Sequence, residues 1–146
     1  MWLLITLAFI THGTICTPQQ AYDEVDCLAS VIYFEARGET IEGQQAVAEV
    51  VLHRVMSDSY PNTICGVVKQ PKQFSWYNGG YVPKMKEPKA KQHSYTMAYK
   101  MLTMQYVPTV PRAQFFHTVG TYPKWSKAFK KVKQIGGHIF YAKYDS

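Results

Sequence analysis

The chain has 146 residues, of which 47% are hydrophobic and 18% are charged. This length is typical of one domain of roughly 100–150 residues, and the composition excludes a disordered chain. Residues 1–66 have a charge balance of −6 and residues 67–146 one of +12, which sum to the net charge of +6. A basic half attracts polyanions such as nucleic acid, anionic lipid or anionic wall polymers, although a solvated lysine surface is the simpler interpretation.

The first sixteen residues predict an export segment. An apolar run at residues 2–10 has about the length of a signal-peptide core and is short for a membrane span. The small residues Thr11, Gly13 and Thr14 favour cleavage after it. The segment lacks positive residues at its start, so a retained anchor or a buried helix stays open. We expect export, with membrane contact only through this segment.

Two cysteines, Cys27 and Cys65, remain beyond the predicted export segment. They could form a disulfide in an oxidising compartment, and two buried free thiols are the alternative. Neither the cysteines nor the five histidines have the close spacing of a zinc site. We therefore expect neither a metal nor a cofactor.

Residues 22–37 are predicted to form a helix, because apolar residues recur at three- and four-residue intervals. Glu35 lies on or beside this apolar stripe, near the helix end that Gly38 marks. A glutamate there is partly buried. The stripe comprises Val25, Leu28, Ala29, Ile32 and Ala36.

Four shorter elements are predicted between residues 41 and 80. Residues 41–56 form a second helix with a valine face, and Pro61 opens a short helix through Val68. Residues 73–77 are expected to be extended. Residues 78–80, Asn-Gly-Gly, predict a turn.

The remaining elements complete a helix-dominated α+β domain with a small sheet. Residues 90–105 predict a helix whose methionine stripe faces the core, and residues 114–117 predict a strand. Residues 133–144 suit two short strands around Gly136-Gly137. The stripe comprises Met97, Met101 and Met104.

Residues 33–39 and 42–48 resemble the opening motif of the cell wall hydrolase family that includes the spore-cortex-lytic enzymes (SleB-like domains). Later landmarks follow in order, so the resemblance covers residues 25–142. It implies a lysozyme-like catalytic domain over residues 20–146 that cleaves peptidoglycan between N-acetylmuramic acid and N-acetylglucosamine. The landmarks are Arg54, Pro61–Val68 with Cys65, Gln73-Phe74-Ser75-Trp76, Phe116-His117, Pro123-Lys124-Trp125 and residues 135–141.

The resemblance implies that Glu35 is the catalytic acid, and His53 stands where the family usually has Asn. A glutamate in apolar surroundings has a raised pKa and can protonate a departing glycosidic oxygen. A helix-terminal Glu35 paired with Arg37 is the structural alternative. We expect His53 to alter packing more than chemistry.

A second catalytic carboxylate, which most glycosidases need, is scarce in this chain. Residues 67–146 contain only Glu87 and Asp145, and of the earlier acids only Glu39 could plausibly reach the site. We therefore expect a lytic transglycosylase, in which Glu35 acts first as acid and then as base and gives a 1,6-anhydro product. Hydrolysis by the same residues is the close variant.

The expected substrate contacts form one main set and a secondary set. The main set is the opposite wall of the cleft, Gln73, Phe74, Ser75 and Trp76, where core packing of the two aromatics is the alternative. A structural role is the alternative for the secondary set. It comprises Glu39, His117, His138 and Tyr141.

Two other function classes stay open. A non-catalytic module that binds cell-wall glycan would need the aromatics but no buried acid. A nucleic-acid binder would use lysines 84–91 and 130–133, but the chain lacks a recognised nucleic-acid motif. We expect no nucleic acid, and docking of these lysines on anionic wall polymers. Phage lysis and bacterial remodelling or germination both fit; the lack of a separate wall-binding domain slightly favours phage lysis.

Overall fold

The computed structural model describes residues 10–11, 14–15 and 17–145. Most of the predicted export segment lies outside these residues. Its described parts are two short strands, β1 (Ile10–Thr11) and β2 (Thr14–Ile15), which pair antiparallel. Among the described helices, none has both the length and the apolar character needed to cross a membrane.

The first two helices, α1 (Pro18–Ala36) and α2 (Ile41–Val55), both begin at a threonine cap. At α1, the Thr17 hydroxyl accepts from Gln20 N, and the Gln20 side chain accepts from Thr17 N at 2.8 Å. This capping box starts the helix four residues before the predicted position, and Pro18 fits its first turn.

The short helix α3 (Ile64–Val68) begins later than predicted. Its cap is Thr63, whose hydroxyl accepts from Gly66 N at 3.0 Å. The Glu24 carboxylate of α1 accepts from the backbone N–H groups of Ile64 and Cys65 at 2.6 and 3.1 Å. The prediction that Pro61 opens this helix was therefore wrong, because these side chains satisfy its free N–H groups at Thr63.

Residues 73–77 form consecutive turns, so the prediction of an extended segment was wrong. Gln73 N donates to Gln70 O, and Tyr77 N donates to Phe74 O at 3.2 Å, which closes the backbone on itself. The predicted turn at residues 78–80 is present. Asn78 pairs with Tyr81, and Gly79 and Gly80 adopt positive φ angles of 57° and 99°.

Helix α4 (Pro88–Leu102) carries the methionine stripe only in part. Met97 and Met101 are buried, as predicted. Met104 is 80% exposed, and the prediction of its burial was wrong. The helix stops at Thr103, whose hydroxyl donates to Tyr99 O at 2.9 Å, and Met104 follows with φ of 56°.

A three-stranded antiparallel sheet completes the domain. Its order is β3 (Phe115–Thr118), β5 (His138–Ala142), β4 (Lys130–Ile135). The turn at Gly136-Gly137 joins β4 to β5, which confirms the predicted pair of strands around these glycines. A 3-10 helix (Lys124–Ala128) precedes β4.

The core lies between the helices and the inner face of the sheet. It contains Leu28 and Ile32 of α1, Val47 and Val50 of α2, and Phe140 of β5, all with no exposed surface. A disulfide between Cys27 and Cys65 joins α1 to α3. The predicted helix-dominated α+β fold with a small sheet is confirmed.

Candidate active site

Glu35 lies in the last turn of α1 and is half-buried. Burial raises the pKa of its carboxyl, because desolvation disfavours the charged form, and a hydrogen bond from Trp76 partly offsets this rise. The negative end of the α1 dipole also opposes ionisation of this carboxyl. Trp76 Nε1 donates to Glu35 Oε1 at 3.0 Å, and no other donor among the described residues reaches this carboxylate.

The structural alternative for Glu35, an ion pair with Arg37, does not form. Arg37 Nε lies 3.0 Å from Glu87 Oε1 instead, and the guanidinium lies over the Tyr33 ring. The acid at the end of α1 therefore has no cationic partner in the described part of the chain.

An aromatic stack holds the Trp76 indole against Glu35. The Phe34 ring stacks on Trp76 at 5.0 Å between ring centroids, and Phe74 stacks on it at 5.6 Å. Trp76 is half-buried, whereas Phe74 is only 5% exposed. Phe74 thus packs in the core and supports the indole, as in the alternative that the sequence left open for it.

The other two predicted residues of this loop are both exposed. Ser75 lies beside Trp76 in sequence and is open to solvent. Gln73 Oε1 accepts from Arg54 Nη1 at 3.1 Å, and Arg54 Nε donates to Gln114 O at 2.7 Å. The buried Arg54 of α2 thereby fixes the loop to the segment before β3. His53, its neighbour, bonds Ala113 O through Nδ1 at 2.7 Å.

Glu39 anchors the β4–β5 hairpin to the end of α1. Both of its carboxylate oxygens accept from Gly137 N at 3.2 Å. A Cβ at Gly136 or Gly137 would overlap this carboxylate, so a substitution there would displace the Glu39 side chain, and Gly136 also has a positive φ of 52° that favours glycine. These contacts give Glu39 a structural role, and its contact with substrate stays a prediction.

His138 is buried beneath this hairpin, 4.0 Å from Glu39 Oε1 through its Nδ1. Burial lowers the pKa of its imidazole, the Glu39 charge raises it, and His117 lowers it. Its Nδ1 has no hydrogen-bond partner among the described residues. This burial fits the structural alternative for His138, and its contact with substrate stays a prediction.

His117 and Tyr141 form one cluster on the outer face of the sheet. Their rings stack at 5.3 Å, and His117 Nε2 lies 2.9 Å from the Tyr141 hydroxyl. Trp125 of the 3-10 helix contacts both rings edge-on. Tyr141 is 8% exposed, so His117 is the more accessible of these two predicted contacts. Neither forms a hydrogen bond to Glu35.

Sequence reasoning missed the roles of Arg54 and Trp125 in these clusters. Arg54 was noted only as a landmark, and its partners are 19 and 60 residues away in the sequence. Trp125 belongs to the motif Pro123-Lys124-Trp125. Its place in that motif could have marked it as a functional residue. In the described ranges, no group of three or more His, Cys, Asp or Glu side chains could hold a metal ion.

Comparison with known proteins places this geometry in a family. The model of the Cell Wall Hydrolase family matches residues 38–141. A spore cortex-lytic enzyme of Bacillus cereus is 32% identical over 128 residues, which are 88% of this chain and 48% of that protein. The chain belongs to the Cell Wall Hydrolase family. It spans about half the length of such curated relatives, and Glu35 lies three residues before the matched range.

Two solved structures of this family share the fold. The catalytic domain of the Bacillus cereus SleB protein aligns with a TM-score of 0.65 and 30% identity, covering 82% of this chain and 90% of that domain. The catalytic domain of the germination-specific lytic transglycosylase SleB from Bacillus anthracis aligns with a TM-score of 0.66 and 28% identity. That alignment covers 90% of this chain and 99% of the other.

Proposed function

We propose that this chain cleaves the glycan strands of peptidoglycan between N-acetylmuramic acid and N-acetylglucosamine, with Glu35 as the acid. The observation that carries the proposal is the half-buried Glu35 carboxyl, whose pKa is raised and whose one donor is the Trp76 indole. A raised pKa keeps more of such a carboxyl protonated, and the protonated group can deliver its proton to a glycosidic oxygen. The family, and the solved lytic transglycosylase with its related fold, support this proposal.

The reaction needs only one carboxyl group. Protonated Glu35 gives its proton to the bridging oxygen as the bond from C1 of N-acetylmuramic acid to that oxygen breaks. The Glu35 carboxylate then removes the proton of the 6-hydroxyl of the same sugar, whose oxygen bonds to C1. The product is a 1,6-anhydro sugar, no water is consumed, and Glu35 ends protonated as it began.

The other carboxylates near the ends of the first two helices support a single-acid mechanism, because each has another task. Glu39 binds Gly137 N, Glu24 caps α3, and Glu42 pairs with Lys133 at 2.8 Å. A conventional glycosidase instead places a second free carboxylate roughly 5–9.5 Å from the first. Hydrolysis by the same acid is the alternative outcome of this chemistry.

Substrate contacts are proposed at the exposed or half-buried side chains of the predicted set. Trp76 would stack on a sugar face, Ser75 would bond sugar or acetamide groups, and Gln73 would bond sugar hydroxyls. His117 would contact the strand farther from the cut. The buried Phe74, His138 and Tyr141 would support these residues from below.

The basic surface is proposed to hold the enzyme on anionic wall polymers. Exposed lysines lie on the 3-10 helix and on the edge strand β4, and Lys133 is paired with Glu42. Replacing the unpaired lysines by Gln should weaken binding to purified wall, most at low salt; unchanged binding would refute this role. The lysines are Lys124, Lys127, Lys130 and Lys131.

The proposed substrate lies outside the cytoplasm, so we propose that the chain acts after export. Both phage lysis and bacterial wall remodelling or germination place such an enzyme at peptidoglycan. The export segment predicted from the sequence supports this proposal. The mass of the exported protein would show whether that segment is cleaved.

Digestion of purified peptidoglycan by the native protein and by Glu35→Gln tests the proposal. Mass spectrometry should find anhydro-muropeptides with the native protein and none with the variant. Reducing ends instead would indicate hydrolysis. Absence of glycan fragments from several wall types would refute cleavage and leave the alternative, a non-catalytic module that binds wall glycan.

A further inference from the structure

A cavity of about 700 Å³ lies beside the candidate active site. It is bounded by α1, α3, the loop at residues 82–85 and the first half of α4. This volume is within the range of sites that hold small molecules and short peptides, roughly 300–1,000 Å³. None of the residues assigned above to the reaction or to substrate contact lines it.

Tyr77 connects this cavity to Glu35. Tyr77 lines the cavity, and its ring contacts Trp76 edge-on at 6.5 Å between centroids. Trp76 in turn donates to the Glu35 carboxyl. A glycan strand bound at Glu35 and Trp76 would therefore lie next to the opening of this cavity.

The cavity contains acidic and basic side chains that are not paired with each other. Its acidic side is α1, with Asp23 and Asp26. Its basic side comprises Lys69, Lys84 and Lys91, all exposed, and none of the three forms an ion pair or hydrogen bond within the described part of the chain.

The two aspartates are only partly satisfied. Asp23 Oδ1 accepts from Gln19 Nε2 at 3.1 Å, and Asp26 Oδ1 accepts from the Tyr95 hydroxyl at 2.7 Å. Each keeps a second oxygen without a partner among the described side chains. A ligand that carries both carboxylates and an amino group could therefore bind both sides at once.

We propose that this cavity binds the peptide stem attached to N-acetylmuramic acid, an inference that rests on the proposed function. A stem peptide is a short chain with several carboxylates and, at its diamino acid, a free amino group. The carboxylates would bind Lys84 and Lys91, and the amino group would bind the aspartates. The enzyme would thus recognise strands that carry peptides.

The dimensions agree with a stem of four residues. Asp26, the nearer of the two aspartates, precedes Glu35 by nine helical residues, which is about 13–14 Å along the α1 axis. An extended chain of four residues spans about 13–14 Å. A stem attached to the sugar at Glu35 can therefore reach the charged part of the cavity.

Calorimetry with a free stem tetrapeptide tests the site without any cutting. The tetrapeptide L-Ala–γ-D-Glu–meso-diaminopimelate–D-Ala is titrated into full-length Glu35→Gln. Adding Lys84→Gln and Lys91→Gln should raise its Kd about tenfold, since two exposed charge pairs are lost. Adding Lys86→Gln and Lys89→Gln is the matched control, because these exposed lysines lie outside the cavity, and it should leave the Kd within about twofold.

Several results would overturn the proposal. They are no binding of the tetrapeptide, an equal effect of the two double variants, or equal binding of a tetrapeptide with amidated carboxylates. In the otherwise native enzyme, Lys84→Gln with Lys91→Gln should also lower the ratio of cutting rates on peptide-bearing and amidase-stripped glycan about tenfold.

The two proposals fail in different ways. Peptide binding by Glu35→Gln, together with a native protein that cuts no glycan, would refute the proposed function alone. Cutting of stripped and peptide-bearing glycan at equal rates, with no peptide binding, would refute the peptide site alone.

Discussion

Two glutamates inside this domain, Glu35 and Glu49, differ in the donors that surround them. Glu49 of α2 has no exposed surface, and its oxygens accept from Thr109 N, Thr109 Oγ1, Val110 N and Gln45 Nε2. Glu35 is half-buried and, among the donors that the structure describes, accepts from the Trp76 indole alone. The Glu49 carboxylate is fully hydrogen-bonded and holds the loop before β3. The Glu35 carboxyl has one oxygen free to exchange a proton with substrate.

This difference separates a structural from a reactive buried acid. Burial without donors penalises the charged form, whereas several donors compensate the lost hydration. Donor number therefore matters more than burial alone in choosing the catalytic group. Three substitutions, each of the last two with a control variant, and one pH dependence test the comparison, beginning with the largest expected effect.

Glu35→Gln should lower the rate of glycan cleavage by about 10³-fold, because proton transfer by a positioned acid is typically worth 10²–10⁴. The variant should fold normally, since Trp76 can still donate to the amide oxygen. Release of muropeptides measures the rate, and thermal unfolding measures the stability. A loss of activity that came with a large loss of stability would show that Glu35 is instead structural.

Glu49→Gln should show the reverse pattern. The amide nitrogen would face the N–H groups of residues 109–110, so at least one buried donor loses its acceptor. We expect a loss of about 3 kcal/mol in the free energy of unfolding, with the rate of the folded fraction within a few-fold of native. Denaturant unfolding and rate measurements below the midpoint check this.

Glu42→Gln is the matched control for Glu49→Gln. Glu42 lies on the same helix, is about half exposed, and pairs with Lys133 on the surface. Such pairs contribute about 0–1 kcal/mol. If both variants lost equal stability, the donors around Glu49 would not be the source of its effect.

Of the two glutamates, the sequence allowed the role of only one to be predicted. Glu35 could be predicted, since the apolar stripe of α1 and the surrounding motif both converge on it. The role of Glu49 could not, because its main partners lie 60 and 61 residues later in an irregular loop. Local periodicity carries no information on contacts of that separation.

The same limit explains the other errors. The Glu24 carboxylate that helps to start α3 is 40 residues away from it. His138 packs against the Phe116 ring of the neighbouring strand β3, 22 residues earlier in the sequence, with 5.1 Å between ring centroids. By contrast, the start of α1 at Pro18 could have been predicted, since Thr17 and Gln20 have the spacing of a capping box. The turns at residues 73–77 were missed because their aromatic content favours a strand.

Trp76→Phe removes the single donor of Glu35 and makes it less like Glu49. The indole hydrogen bond lowers the pKa of Glu35, so its loss should raise that pKa further. Since the protonated form starts the reaction, the alkaline limb of the kcat/KM profile should move to higher pH. The maximal rate should fall about tenfold, because the ionised intermediate loses a charge-assisted bond.

Phe retains the stacking on Phe34 and Phe74, so this substitution isolates the hydrogen bond. Ser75→Ala, at the exposed neighbouring position, is the control and should leave the alkaline limb in place. An alkaline limb that moved to lower pH in Trp76→Phe would contradict the assigned direction of the Trp76 effect.

The smallest expected effect is the dependence of stability on pH. In the folded state the pKa of Glu35 is raised above its ordinary value of 4.5, so the folded protein binds more protons than the unfolded chain between these two pKa values. Stability from this group is therefore complete below pH 4.5 and is lost as pH rises through the folded pKa. Glu35→Gln has no such loss.

The midpoint temperatures of the native protein and of Glu35→Gln should therefore diverge as pH rises from 4 to 8, with the variant gaining relative to the native protein. The difference should level off above the folded pKa of Glu35. All other titrating groups are the same in both proteins, so their effects cancel in the difference between the two midpoint temperatures. A flat difference, or a native protein that gains with pH, would mean that burial of Glu35 does not penalise its charge. Glu35 would then be no better suited to donate a proton than the fully bonded Glu49.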